Sequence, residues 1–296
     1  MLARSYESLS TAQSRLDWSV DELFSSPVVR LSSLTCHPDS LGRSCEKSAV
    51  DNQLVFVTRG GFVRHTGRSS QVANAGKVTF FRAGMPYRTS HLDPTGDCCM
   101  VFSFASQELF QDLSEASAAP ACEVIHPRLF ADALALAASA ASTSTTTLEF
   151  EERSLALLAR ALACPPRAAP GAKALAEVHA IESLLTASPG TDWSLAALSR
   201  RFDKTPFYIT RLFRRATGLP LHRYLVNLRL AAALARLAEG EDNISRLAFD
   251  LGFSSHGHLS GAFRRALSVS PAAFRGVARA GGSARKWKPV DSRWLE

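Results

Sequence analysis

None of the six cysteines (36, 45, 98, 99, 122 and 164) belongs to a Cys-x-x-Cys pair, and none lies beyond Cys164. A zinc ribbon or a thioredoxin-like redox motif is thereby excluded. In a cytosolic chain such cysteines are expected reduced and partly buried. Long apolar runs are missing too. The longest uncharged run, Ala133 to Leu148, is mostly Ala, Ser and Thr and does not suit a membrane span. The start, Met1 to Phe24, carries charges throughout and no apolar h-region, so no secretory signal is expected. What remains is a chain of 296 residues, 46% apolar and 21% charged, with 17 Gly and 14 Pro. That composition excludes disorder, collagen and a coiled-coil rod, and the length suits two domains. The expectation is a soluble, cytoplasmic protein without membrane contact.

The net charge of +7 is unevenly spread. Residues 1–172 carry 15 Lys/Arg against 17 Asp/Glu, and residues 173–296 carry 19 against 10. A balance of +9 in the second part suggests that this part alone meets a polyanion; a solvated basic surface is the bland alternative.

From Gln53 to Phe104 short apolar runs alternate with turn signals. Leu54-Val55-Phe56-Val57 ends at Gly60-Gly61, Val78-Thr79-Phe80-Phe81 follows Gly76, and Met100 to Phe104 closes the series. This pattern predicts an antiparallel barrel or sandwich. Cys98 and Cys99, as strand neighbours, are expected on opposite faces. Leu129, Leu134, Leu136, Leu155, Leu157, Leu158 and Leu162 shift the pattern to helices over 128–163. Residues 164–172 contain Cys-Pro-Pro-Arg-Ala-Ala-Pro-Gly, which cannot continue a helix and is placed as the linker. Beyond it the text is helical, until Gly276 to Glu296 becomes glycine-rich and basic. The fold class expected is α+β, an N-terminal barrel followed by an all-α domain.

The helical part repeats itself. Leu195, Leu198 and Phe202 mark a short helix; Asp203-Lys204 turns; Thr205-Pro206 supplies an N-cap and N1 pair; Ile209, Leu212, Phe213 and Ala216 line the next helix. Ile244, Leu247 and Leu251 mark a second short helix. Gly252 turns, Ser254 or Ser255 caps, and Leu259, Ala262, Phe263 and Ala266 line the helix after it. Phe213-Arg214-Arg215-Ala216 recurs as Phe263-Arg264-Arg265-Ala266, 50 positions later. Two helix-turn-helix units follow from this, since plain helical hairpins need no basic outer face on each second helix. Pro220 to Glu239 predicts a connecting helix of 20 residues, about 30 Å long. Major-groove faces on one side of B-DNA lie about 34 Å apart, so such a helix suits two reading heads.

Trp193 to Arg275 resembles the DNA-binding domain of the AraC/XylS family of bacterial regulators. The resemblance rests on Leu195-x-x-Leu198, Thr205-Pro206-x-Tyr208-Ile209-x-Arg211-x-Phe213-Arg214, Thr217-Gly218 and Arg229-Leu230. It continues with Ile244-x-x-Leu247-Ala248, Gly252-Phe253-Ser254-Ser255, His258-Leu259-Ser260, Phe263-Arg264-Arg265 and Val269-Ser270-Pro271. Three positions depart from it: Asp203-Lys204 replaces a Gly-apolar turn, Gly261 replaces Arg, and Ser268 replaces a frequent Gly. The DNA-contacting set is expected to be Thr205, Phe207, Tyr208, Thr210, Arg211, Arg214 and Arg215 in the first unit. In the second it is Ser255, His256, His258, Ser260, Arg264 and Arg265. Arg211 suits a bidentate grip on guanine, Phe207 or Thr210 a thymine methyl, and Arg214 and Arg215 phosphates.

In the acidic part, Gly76 to Tyr87 resembles the second cupin motif, with Arg82 in place of its proline and Tyr87 in place of its metal-binding His. The resemblance implies a degenerate cupin barrel serving as a sensor, without a metal, a cofactor or catalytic residues. His65, His91, Asp97 and Cys98 or Cys99 have no compact metal spacing and suit barrel hydrogen bonds instead. Arg64, His65, Arg82, Tyr87, Arg88 and His91 form the candidate effector set; exposed strand arginines are the alternative for Arg64, Arg82 and Arg88.

The organisation expected is a cupin-like sensor over 1–127, a helical and possibly dimerising segment over 128–163, and a linker over 164–172. A double helix-turn-helix domain over 173–278 and a basic tail over 279–296 complete it. The function expected is sequence-specific transcription regulation, not enzymatic, with double-stranded promoter DNA, RNA polymerase and a small-molecule effector as partners, and a homodimer possible. The rival is a regulator whose barrel only dimerises or binds a protein. A cupin enzyme with a DNA-binding tail is a further rival, opposed by the missing metal triad.

Overall fold

A computed structural model of the chain describes residues 17–38, 41–67, 69–105, 122–140, 145–163 and 171–279. Among the described residues ten strands come first: β1 (Asp17–Ser25), β2 (Val29–His37), β3 (Lys47–Ser48), β4 (Asn52–Arg59), β5 (Gly61–Thr66), β6 (Ser69–Asn74), β7 (Lys77–Phe81), β8 (Pro86–His91), β9 (Asp97–Phe104) and β10 (Cys122–Val124). Helices follow: α1 (Pro127–Ala140), α2 (Thr147–Leu162), α3 (Ala172–Ala187), α4 (Leu195–Phe202), α5 (Pro206–Thr217), α6 (Leu221–Ala238), α7 (Ile244–Asp250), α8 (His256–Leu267) and α9 (Pro271–Arg279).

The fold class is α+β as the sequence predicts, with one correction to the barrel. The strands form two separate sheets, a six-stranded one in the order β1-β2-β9-β4-β7-β10 and a four-stranded one in the order β3-β8-β5-β6. Among the described residues β1 and β10 end the large sheet without pairing to the small one, so the barrel is not closed. β1, β2, β3 and β10 lie outside the stretch the sequence pattern marks as strands; β1 and β2 were missed because their apolar residues are interrupted by Ser, Asp and Thr, and β3 and β10 because they are only two and three residues long.

The large sheet is covered on both faces, which explains the unbroken apolar text of β4. Leu54, Phe56, Val78, Phe80 and Phe102 point to one side, where Phe130 of α1 and Phe150 of α2 close a core. Val55, Val57, Phe81, Cys99 and Val101 point to the other, against Phe62 and Ala73 of the small sheet. The first core continues without a break into the helical part, through Tyr224, Leu228 and Leu234 of α6 to Leu247, Leu259 and Phe263. α6 lies on α1 and reaches β4, while α3 lies against β5 and β6 and also meets α5.

Polar contacts fix this seam. Asn74 donates to Thr186 Oγ1 and to Tyr224 Oη, each at 2.9 Å. Arg128 Nη1 donates to the carbonyl of Leu267, at the end of α8, at 2.9 Å. The connecting helix runs from Leu221 to Ala238, with Pro220 as N-cap and Glu239 as C-cap, one residue inside the expected limits at each end. Pro220 has an extended ψ of 141°, and its missing N–H costs nothing there. At the other end α9 is helical through Gly276 to Arg279, where the glycine content suggests the start of a loose tail. The linker residues 164–170 and the tail residues 280–296 lie outside the described residues. No described helix is long and apolar enough to cross a membrane.

Candidate nucleic-acid interface

Each recognition helix is started by its own hydroxyl. Thr205 Oγ1 accepts the N–H of Tyr208 at 3.3 Å, and Ser255 Oγ accepts that of His258 at 3.1 Å. Of the two serines the sequence left open, Ser255 is the cap. The short helices are capped as well, α4 by Ser194 and α7 by Asn243. A cap of this kind contributes about 1 kcal/mol, and four of them fix where each reading helix begins.

α5 buries Ile209, Leu212, Phe213 and Thr217. Its other side carries Phe207, 74% exposed, with Arg211, Arg214 and Arg215 also in solvent. An exposed Phe at the first turn of a basic helix is costly in water and suits an apolar contact such as a thymine methyl. Thr210 is half-buried and its hydroxyl donates to the carbonyl of Pro206 at 2.8 Å, leaving its methyl and an acceptor outward. Tyr208 is held sideways. Its hydroxyl donates to Glu177 Oε2 of α3 at 2.7 Å, which raises its pKa, and Lys204 Nζ lies 5.9 Å from its ring centre.

α8 buries Leu259, Ala262, Phe263 and Leu267, and exposes His256, Gly257, His258, Arg264 and Arg265. Ser260 is half-buried. His258 is anchored by its neighbours: Nδ1 lies 3.0 Å from Ser254 Oγ and the ring meets Phe253 edge-on at 5.4 Å. Gly261 sits where Arg211 sits in α5, and a Cβ there would have only Arg265 Nη1 nearby, at 3.8 Å.

One residue that holds the reading heads was not singled out by charge or spacing. Arg229, buried in α6, donates to the carbonyls of Pro189 at 2.8 Å and of Thr191 and Gly252 at 2.9 Å. It ties the loop before α4 to the turn between α7 and α8, so both units share one fastening. Burial lowers its pKa from the usual arginine value, which leaves it charged. Its sequence signal is the lone charge inside the apolar run Leu228 to Leu230.

The six candidate effector residues do not form one cluster, although His65 and Arg88 are cross-strand partners on β5 and β8, and Arg64 and Tyr87 both pack on Phe81. Arg64 is buried on the inner face of the small sheet, donating to the Phe80 carbonyl and to Gln71 Oε1, over the ring of Phe81. His65 points to the other face, 2.8 Å from Ser70 Oγ and from Ser90 Oγ, with its pKa lowered first by burial and then by Arg43. Arg82 and Arg88 are exposed, the latter 3.7 Å from Glu46, and Tyr87 packs edge-on against Phe81. His91 lies between Cys36 and Asp97. Among the described residues no group of three His, Cys, Asp or Glu is placed to hold a metal ion.

Two capped helix pairs, each with an outward arginine pair on its second helix, define a double helix-turn-helix domain. Residues 198–276 match the family model described as a helix-turn-helix domain. Its sequence motifs resemble those of the AraC type. The transcriptional activator RhaS of Pectobacterium carotovorum is 37% identical over 79 residues, 27% of this chain and 28% of that protein. This and the other first relatives, also RhaS proteins, are spanned for less than a third of their own length. Among solved structures, ToxT from Vibrio cholerae is 10% identical, covering 88% of this chain and 98% of that one at a TM-score of 0.35. A transcriptional regulator with an AraC-type domain from Chromobacterium violaceum is 23% identical, covering 36% and 96%, at a TM-score of 0.34.

Proposed function

We propose that this chain is a sequence-specific DNA-binding transcription regulator of the AraC type, not an enzyme, whose two units read adjacent major grooves of a promoter site. The observation that carries the reading is the repeated, hydroxyl-capped helix with an exposed arginine pair at its far end. The length of α6, 18 residues or about 27 Å, supports it, being close to the spacing of successive major-groove faces. Phe207, Thr210 and Arg211 read bases in the first groove; His256, His258 and Ser260 do so in the second. Arg214, Arg215, Arg264 and Arg265 hold phosphates, and Thr205, Tyr208 and Ser255 set the helix starts. The domain lies at 173–278 after a linker at 164–172, its protein partner is RNA polymerase, and its place is the cytoplasm.

Binding of the full chain to promoter DNA, titrated with salt, tests this. A steep fall in affinity from low to physiological ionic strength is expected when arginines displace counterions from phosphates. Affinity insensitive to salt contradicts it.

For the N-terminal sheets, a small-molecule effector is the first reading, supported by the resemblance of Gly76 to Tyr87 to the second cupin motif. A second reading, a module that only dimerises or binds a protein, is favoured by the side chains of Val55, Phe62, Phe81 and Val101 filling the space between the sheets. Metabolite mixtures that shift the melting temperature of the full chain support the first; protein dimers without any such shift support the second.

A further inference from the structure

At one rim of the two sheets a thiol, an imidazole and a carboxylate stand in a row. Cys36 and Asp97 are direct cross-strand partners on β2 and β9. His91, at the end of β8 in the other sheet, reaches across between them. Its Nε2 lies 3.5 Å from Cys36 Sγ and its Nδ1 3.3 Å from Asp97 Oδ1. The approach to Asp97 is off the ideal hydrogen-bond direction. All three side chains are withdrawn from water, Cys36 being 8% exposed. This cluster is remote in role from the reading helices, and DNA binding makes no use of it.

We propose that Cys36 is a modification site for small hydroperoxides, with His91 as the proton relay and Asp97 holding the imidazole in its charged form. A sulfur lone pair attacks one peroxide oxygen; the S–O bond forms as the O–O bond breaks. The departing hydroxide takes a proton from His91 Nε2 and leaves as water. His91 recovers the proton shed by the thiol, so Cys36–SH and hydrogen peroxide give Cys36–SOH and water. Sulfur is oxidised by two electrons and peroxide is reduced by two. Burial by itself would lower the His91 pKa, but its contacts with Asp97 and Cys36 outweigh this and raise it to about 9, so the acid is in place at neutral pH.

The neighbouring thiols are set apart from this chemistry. Cys99 is fully buried, and burial, then the charge of Asp97, pushes its thiol well above the usual range. Cys98 faces the opposite side, its Sγ 3.6 Å from Thr35 Oγ1. With 8% of its surface exposed, Cys36 is reached more readily by hydrogen peroxide than by a bulky disulfide.

The exposed Cys45 provides a comparison within the same molecule. The reduced full chain is treated with hydrogen peroxide in the presence of dimedone, which traps sulfenic acids, and the adducts are located by peptide mass spectrometry. Cys36 is expected to be labelled faster than Cys45, although Cys45 is the more exposed. His91→Gln is expected to slow the labelling of Cys36 about a hundredfold, the scale of general acid catalysis, and to leave Cys45 unchanged. Labelling of Cys45 at the same rate as Cys36 or faster overturns the proposal, and that comparison needs no variant. A folded His91→Gln protein that labels Cys36 at the original rate overturns it as well.

Discussion

Lys77 Nζ on β7 and Glu182 Oε1 on α3 lie 2.7 Å apart with both side chains almost wholly out of water, an ion pair between the strand part and the helical part of the chain. Glu182 Oε2 has no hydrogen-bond partner among the described residues, so the pair is held by charge more than by a full set of bonds. Removing one partner strands a buried charge, at a cost of about 3–5 kcal/mol, whereas replacing both with apolar residues is close to neutral. Lys77→Met alone is therefore expected to lower the unfolding free energy severely in denaturant titrations. Lys77→Met with Glu182→Leu is expected to recover most of it. Additive losses in the double variant would show that the pair does not act as one unit.

Two histidines give the protein opposite pH limbs. His91 has its pKa raised to about 9, so its stabilising contribution is complete below pH 6.5 and is lost as pH rises through 9. His179, beside Lys77 and His65, has its pKa lowered to about 4, first by burial and then by those charges. It is half-buried and neutral, so stability falls as pH drops from 6.5 towards 4. Each limb amounts to about 3 kcal/mol by linkage. Stability measured across this range is expected to peak near neutrality; His91→Gln flattens the alkaline limb and His179→Gln the acid one.

Asp203 and Ser268 are the described non-glycine residues with positive φ, at 51° and 61°. Ser268 ends α8 as Gly218 ends α5. An L side chain in this conformation costs about 1–2 kcal/mol, less for Asp. Ser268→Gly is expected to raise the melting temperature, and Asp203→Gly to do so by a smaller amount. Unchanged or lowered melting would mean that these side chains make contacts within the fold that offset the backbone strain.

Gly261 has room for a side chain, and glycine inside a helix costs about 1 kcal/mol relative to Ala. Gly261→Ala is expected to stabilise the protein by that amount. Gly261→Arg is expected to add tighter DNA binding with altered sequence preference, measured by titration against one promoter site.

The reading helices were legible in the sequence because local signals fix them: Thr205 and Ser255 before an apolar stripe, and the repeated Phe-Arg-Arg-Ala. β4, β7 and β9 were legible from their apolar runs. The closure of the sheets was not, because whether β1 and β10 pair depends on register across the whole domain. Asn74, the Lys77–Glu182 pair and the partners of Arg229, itself quoted in the resemblance, were hidden for a related reason. Each acts on residues 23 or more positions away, or on backbone carbonyls that carry no side-chain signal. Arg64 was legible as an arginine in a strand, but not the side it faces, which its neighbours Phe80 and Gln71 decide.

Selection of the full chain against randomised double-stranded DNA tests the central claim, that two unequal heads read adjacent grooves. The expected product is two half-sites one helical turn apart. The half bound by α5 is sharply defined through Arg211, a contact worth about 1–3 kcal/mol of base discrimination, and the half bound by α8 is degenerate. Arg211→Ala erases the sharp half. Equal information in both halves would contradict the asymmetry, and no enriched sequence at all would contradict the assignment as a sequence-specific reader.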